Sequence, residues 1–202
     1  MNHRALTFVV AAVGLTALAW YMIPPASASV PAPADPTAAP ASGTFTQDVI
    51  FPIENMTMDW YTELQSGRGA PYAPLFSASE NANGLPTYML ARLAWQESHY
   101  RQDIIDGTIQ SPAGALGIMQ IVPRWHPDVN PLDPAASIAY AGRYLRQLYR
   151  QFGNWQLSLM AYNWGPGNVS KWQRNGGTVP AETQNYQSQI LADLAQVGVT
   201  VA

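Results

Sequence analysis

The stretch "LARLAWQESHYRQD", residues 90–103, decides how this chain is read. Leu90, Leu93, Ala94 and Glu97 recur at i, i+3, i+4 and i+7, so the spacing predicts a helix with an apolar face. Glu97 lies on that face. A carboxylate moved out of water is costly when ionised, so its pKa should rise. A carboxyl still protonated near neutral pH is what a general acid requires. The plainer reading is an ion pair. Arg92 is close in sequence, and Arg101, at i+4, is placed to reach Glu97 along the helix.

Further helices are expected on either side. Pro86 occupies a plausible first helical position after an Asn-Gly turn at Asn83-Gly84. Before it, residues from Asp59 onward read as a short helix followed by an irregular aromatic loop. After the helix bearing Glu97 comes a polar loop that ends in "SPAGALGIMQIVP", residues 111–123. A second helix over roughly residues 135–152 aligns Ile138, Ala141, Leu145, Leu148 and Phe152, with Asp133 before Pro134 as its N-cap. A third runs from about Trp155 and stops at the Gly165-Pro166-Gly167 turn. A last one, after Pro180, aligns Tyr186, Ile190 and Leu194. Strand signals are scarce, and the fold class is mainly α.

Composition narrows the function classes. The chain has 202 residues, 48% of them hydrophobic, enough for one compact domain with appendages. A net charge of −3 gives no electrostatic case for binding nucleic acid. Only 11% of residues are charged, against 7 Trp and 10 Tyr, a balance that suits neutral polymers such as sugars and also fills cores. The absence of cysteine excludes disulfides, a CxxC redox motif and a thiolate metal site. His3, His99 and His126 have no metal-ligand spacing, and there is no GxSxG motif. Neither metal nor cofactor is expected.

The N-terminus points to export. "ALTFVVAAVGLTALAWYMI", residues 5–23, carries no charge and, at ~1.5 Å per residue, is long enough to cross a hydrocarbon core as an apolar helix. Arg4 on its short side directs the rest of the chain outward. Two fates fit residues 1–28. Ala26-Ser27-Ala28 offers a signal-peptide cleavage site, whereas the length of the run suits a retained anchor in the cytoplasmic membrane. "PPASASVPAPADPTAAPAS", residues 24–42, is a Pro/Ala tether that cannot build a core. The expected organisation is a signal or anchor over 1–28, a linker over 29–44, an extension packing on the core over 45–85, and a catalytic domain over 86–197.

Four ordered motifs carry a family resemblance: Glu97-Ser98, "GALGIMQ" (114–120), "AYNWGPGNV" (161–169) and "ETQNY" (182–186), with "DPAASIAYAGRYL" (133–145) between them. Together they resemble the soluble lytic transglycosylases and goose-type lysozymes, the SLT-domain family, over about residues 86–194. Part of the pattern looks most like phage-encoded members. The resemblance implies a lysozyme-like α fold acting on peptidoglycan glycan strands. It makes Glu97 the catalytic acid/base, with Ser98 supporting it and the substrate. Gly117, Met119 and Gln120 are expected to line the cleft, and Tyr162 and Asn163 to form the opposing wall, with Asn163 on an N-acetyl group. Tyr186 is expected to hydrogen-bond Glu97. Ile118 and Trp164 depart from the family's usual leucine and alanine.

One acid must then serve twice. In a lytic transglycosylase it protonates the glycosidic oxygen and then deprotonates the C6 hydroxyl of N-acetylmuramic acid, giving a 1,6-anhydro product without water. The rival is a hydrolytic muramidase with a second carboxylate, for which Asp103, Asp106, Asp128 and Asp133 are candidates. From another class comes a membrane-tethered wall-binding or virion structural protein without useful activity. A pure binder has no use for a desolvated acid.

Overall fold

The computed structural model describes residues 59–201. The apolar run 5–23, the Pro/Ala tether and the start of the 45–85 extension therefore lie outside the described residues. Among the described residues eight α-helices follow in order: α1 (Asp59–Ser66), α2 (Ala73–Asn83), α3 (Met89–Ser98), α4 (Gln102–Ile105), α5 (Pro134–Phe152), α6 (Trp155–Trp164), α7 (Pro166–Asn175) and α8 (Ala181–Gln196). A single 3₁₀ turn, Ala70–Tyr72, joins α1 to α2. Among the described residues the only β feature is an isolated antiparallel bridge between Leu116 and Ile121. The mainly α expectation agrees with this architecture. No helix among the described residues is long and apolar enough to cross a membrane.

The helix that carries Glu97 is the hub. Met89, Leu90, Ala91, Leu93 and Ala94 are all fully buried, so α3 is apolar nearly all round except at its last turn. It packs on α8 and α5 and, at its start, on α1 and α2. The longest helix, α5, presents Ile138, Ala141, Leu145 and Leu148 to the core, as the periodicity predicts. Its N-terminus is capped by Asp133, whose Oδ1 accepts from the Ala135 and Ala136 N–H groups at 2.9 and 3.1 Å. At Gly142 of α5 a Cβ would stand 2.2 Å from Ser79 Oγ, so the absence of a side chain lets α2 press against α5.

Three elements differ from the sequence reading. The loop expected before Gly84 contains α2, an eleven-residue helix that buries Phe76, Ser79 and Glu80. Only one of those is apolar, so its inward face gave no hydrophobic period. Pro86 does not open α3; Tyr88 precedes the helix in a left-handed conformation (φ 64°), and Met89 starts it. Pro166 begins α7 rather than ending the helical run, because Pro is tolerated at the first helical position; the break is at Gly165 alone (φ 91°).

Candidate active site

Glu97 is the last residue but one of α3, and the chain leaves the helix abruptly after it. His99 and Tyr100 both adopt left-handed backbone conformations, φ 50° and 53°, which are costly for side chains of this size. Ser98 holds that exit in place. Its buried hydroxyl donates to the Ala94 carbonyl (3.0 Å) and accepts from the Tyr100 N–H (3.3 Å). The Tyr100 hydroxyl donates back to the Ala91 carbonyl at 2.6 Å. The result is a helix end that stops at Glu97 and leaves its side chain half-buried.

A tight turn forms one flank. Leu116 and Ile121 exchange two backbone hydrogen bonds of 3.0 Å, and Gly117 and Gln120 within the turn are left-handed (φ 75° and 47°). A Cβ at Gly117 would lie 1.8 Å from the Pro131 carbonyl oxygen, so only glycine allows the segment before α5 to cross here. Gln120 closes the turn, its Nε2 donating to the Gly117 carbonyl at 3.0 Å. Facing it, α6 supplies Tyr162, whose hydroxyl donates to the Met119 carbonyl at 3.2 Å. Beyond Tyr162 the aromatic surface continues through Tyr144 (ring centroids 5.8 Å apart) to Tyr140 and His126, which share a 2.6 Å hydrogen bond.

The third flank is α8. Tyr186 is buried, and its hydroxyl donates to Glu97 Oε1 at 2.5 Å across 89 residues of sequence. One turn earlier, Thr183 Oγ1 donates to Asn163 Oδ1 at 2.7 Å and ties α8 to α6. Behind the site, Arg92 pairs with Asp193 (2.6 Å) and donates to Gln96 (3.0 Å), so a buried ion pair clamps α3 to α8.

The ion-pair explanation of Glu97 therefore fails for both arginines. Arg92 is committed to Asp193, and Arg101 to Asp103 at 2.6 Å. Burial instead pushes the Glu97 carboxyl up to about 8, the nearby negative charge of Glu182 adds to the rise, and the Tyr186 hydrogen bond opposes it. Tyr162 and Tyr186 stay neutral, since burial and the Glu97 charge drive both well above the ordinary tyrosine range. The site offers a carboxyl that holds its proton at neutral pH and a hydroxyl that keeps it oriented.

Several expected site residues lie elsewhere than the cleft surface. Ser98 and Met119 are fully buried, and Gly117 and Asn163 nearly so. Ser98 shapes the helix exit, Gly117 the turn, and Asn163 the α6–α8 clamp; Met119 meets Tyr162 through its backbone carbonyl. Glu97, Gln120 and Tyr162 are half-buried, and Gln120 and Tyr162 line a small cavity with Trp125, His126, Tyr140 and Tyr144. Of the proposed second carboxylates, Asp103 is held by Arg101, Asp106 accepts from the Thr108 N–H at 2.9 Å, and Asp133 caps α5. Asp128 is exposed on the segment before α5. The acid that the sequence reading passed over is Glu182. The signal was present in "ETQNY", where Glu182 stands four residues before Tyr186 and so shares its helix face. Among the described residues no cluster of three or more His, Asp or Glu is arranged to hold a metal.

Comparison with known proteins bears on the family and the fold. The chain is 30% identical over 146 residues to the soluble lytic murein transglycosylase of Escherichia coli strain K12, covering 60% of this chain and 22% of that protein. It is 28% identical over 137 residues to the peptidoglycan transglycosylase gp16 of Escherichia phage T7, covering 59% of this chain and 10% of that one. A membrane-bound lytic murein transglycosylase F 2 from Alkalilimnicola ehrlichii is 31% identical over 108 residues, 48% of this chain and 23% of the relative. The chain thus spans about a quarter or less of the length of these curated relatives. In fold it is similar to the lytic transglycosylase Slt of Pseudomonas aeruginosa, solved as an inactive mutant, with a TM-score of 0.51 at 22% identity, covering 67% of this chain and 26% of that one. The transglycosylase SLT domain model matches residues 74–185, more than half of the chain. This chain belongs to the transglycosylase SLT domain family.

Proposed function

We propose that the chain is a peptidoglycan lytic transglycosylase that cleaves the β-1,4 bond between N-acetylmuramic acid and N-acetylglucosamine. The observation that carries this reading is a single half-buried carboxyl, Glu97, pushed up to about 8 by burial and oriented by the Tyr186 hydroxyl. Glu97 gives its proton to the glycosidic oxygen as the C1–O bond breaks, and the substrate's own N-acetyl group stabilises the cationic centre at C1. The Glu97 carboxylate then takes the proton of the C6 hydroxyl, and O6 closes onto C1. The 1,6-anhydro ring forms without water, and Glu97 ends protonated as it began.

The remaining residues act around that step. Gln120 and Tyr162 border the reacting sugars, and the aromatic surface from Tyr162 to Tyr140 provides flat faces against which sugar rings stack. Ser98, Gly117, Met119 and Asn163 serve by fixing the backbone of the cleft. Residues 86–197 form the catalytic domain, with residues 45–85 as an extension; the burial of Trp60 and Phe76 in one core with the later helices supports the packing of that extension on the domain. Export by residues 1–28, as cleaved signal or membrane anchor, with a 29–44 linker, places the enzyme on the side of the membrane where its substrate lies; the charge-free run 5–23 supports this.

Mass spectrometry of digested, purified peptidoglycan tests the assignment. Muropeptides ending in 1,6-anhydro-N-acetylmuramic acid are expected, lighter by one water than hydrolytic products. Reducing ends instead make the chain a muramidase. Binding to peptidoglycan without cleavage makes it a wall-binding or virion structural protein.

A further inference from the structure

Helices α3 and α8 pack against each other, and two polar contacts cross between them. One is the Tyr186 hydroxyl on Glu97; the other is Arg92 Nε on Asp193 Oδ2 at 2.6 Å. Asp193 lies two turns beyond Tyr186 on the buried face of α8, about 10 Å along the helix. The same guanidinium turns a second donor on its own helix: Arg92 Nη1 donates to Gln96 Oε1 at 3.0 Å, and Gln96 immediately precedes Glu97. These contacts close a ring. It runs from α8 through Asp193, Arg92 and Gln96 to the last turn of α3, and from that turn through Glu97 and Tyr186 back to α8. We propose that Arg92 is a positioning residue whose fork fixes the register of α3 on α8, so that the Tyr186 hydroxyl meets the Glu97 carboxyl and keeps it aimed. This deepens the reading of Glu97 as the acid of the proposed reaction and rests on it.

Stability alone does not account for the pair. Arg92 and Asp193 are only 4% and 9% exposed, and the cost of taking both charges out of water is one that their attraction does little more than offset. Apolar side chains of similar size would hold the helices together as well. They would not choose a register, because the burial of Leu90, Leu93, Ile190 and Leu194 is non-directional. A hydrogen-bonded ion pair is directional, and fixing register is the best-attested use of a buried charge. Arginine suits the task for a geometric reason. Its planar fork presents donors on two edges, so one group reaches Asp193 and Gln96 at once, whereas a lysine ammonium is a point charge.

The test uses the full chain and soluble peptidoglycan strands. Arg92→Met together with Asp193→Leu replaces the pair by apolar side chains and leaves no buried charge unpaired. With thermal unfolding close to wild type, kcat should fall on the order of tenfold, while KM and the alkaline limb of kcat/KM stay where they are. In this background Tyr186→Phe should cost much less than it costs the wild type, because the hydroxyl no longer finds its carboxyl. Gln96→Met opens the ring without touching the ion pair; it should also lower kcat at unchanged KM, and it gives the answer where the double variant does not fold. Wild-type kcat in either folded variant, a full Tyr186→Phe loss in the double variant, or an unchanged kcat with a displaced alkaline limb each overturns the proposal. A second arm needs no catalysis. In protein labelled with ¹³C at glutamate carboxyls, Tyr186→Phe should displace the Glu97 titration midpoint in the wild type and displace it less in the double variant. Equal displacement in both overturns the proposal. A wild type that leaves peptidoglycan uncut defeats the functional reading, while this titration still judges the ring.

Discussion

A glutamate stands at each end of helix α3, buried Glu80 from α2 at its start and half-buried Glu97 at its close, and the two are held in opposite ways. At its start, Glu80 of α2 is only 4% exposed, and its two oxygens accept from the Leu90 and Tyr88 N–H groups at 2.8 and 3.0 Å. It supplies from a neighbouring helix the cap that Tyr88 does not provide. At its far end, Glu97 accepts one hydroxyl, from Tyr186, and is half-buried beside another acid. Burial raises both carboxyls, Glu80 to about 7 and Glu97 to about 8. Burial and a raised pKa therefore do not by themselves mark a catalytic acid. What separates the two is satisfaction: Glu80 is enclosed by donors that fix a helix, while Glu97 keeps a proton and an open side.

The comparison breaks most decisively at Glu97. Glu97→Gln keeps size and the capacity to accept from Tyr186 but removes the transferable proton. General acid–base catalysis is worth ~10²–10⁴-fold, so peptidoglycan cleavage should fall by at least that much with the unfolding midpoint close to wild type. Near-normal cleavage by this variant would return Glu97 to a structural role like that of Glu80.

Glu80 should show the opposite profile. Glu80→Ala leaves two N–H groups at the start of α3 without acceptors and should cost about 2–4 kcal/mol of stability. Glu80→Gln retains one acceptor and should cost less. Activity per folded molecule should change little in either, as read by chemical denaturation alongside initial rates. A Glu80→Gln variant that folds normally but does not cleave would erase the distinction between the two ends.

That distinction was half legible in the sequence. The i, i+3, i+4, i+7 series of Leu90, Leu93, Ala94 and Glu97 exposed the Glu97 end, because an acid interrupting an apolar period stands out. Glu80 was invisible. It lies in α2, where Phe76, Ser79 and Glu80 face inward with one apolar member, and polar residues satisfied by backbone outside their own helix leave no periodic trace. The α5 and α8 faces were readable for the same reason as α3, through Ile138, Leu145, Ile190 and Leu194. The contacts that assemble the site were not. Tyr186 to Glu97 spans 89 residues and Thr183 to Asn163 spans 20, and spacing carries no information about such pairs. Only the family motifs connected Tyr186 to Glu97. They gave Asn163 and Ser98 an identity but not their burial, because a motif carries no depth.

Stability against pH offers a finer reading of both ends. Each carboxyl is raised in the folded state from an ordinary value of 4.5, to about 7 and about 8. A raised acid binds its proton more tightly when folded, so its contribution to stability is complete below pH 4.5 and is lost as pH rises through the folded value. The unfolding midpoint should therefore drift down between pH 5 and pH 9 in the wild type. Glu80→Gln should reduce the slope between about pH 4.5 and 7, and Glu97→Gln should reduce it from about pH 4.5 to 8 and remove the drift above 7, measured by thermal melts across the range. Identical slopes in all three proteins would show that neither carboxyl titrates as its surroundings require.

The smallest effect is expected from Tyr186→Phe, and its sign is what makes it useful. The ring stays buried against the core, and a single hydroxyl is lost. That hydroxyl favours the charged form of Glu97, so deleting it should raise the carboxyl's pKa further and move the alkaline limb of kcat/KM upward. The rate should fall at the same time, because a carboxyl released from its one donor samples more rotamers and spends less time aimed at the glycosidic oxygen. A hydrogen bond to a charged group is worth about 1.5–3 kcal/mol at most, which limits the loss to roughly one or two powers of ten, well short of Glu97→Gln. A rate unchanged and a limb unmoved would reduce Tyr186 to core packing, and the α8 end of the site would then resemble Glu80's surroundings more than a catalytic centre.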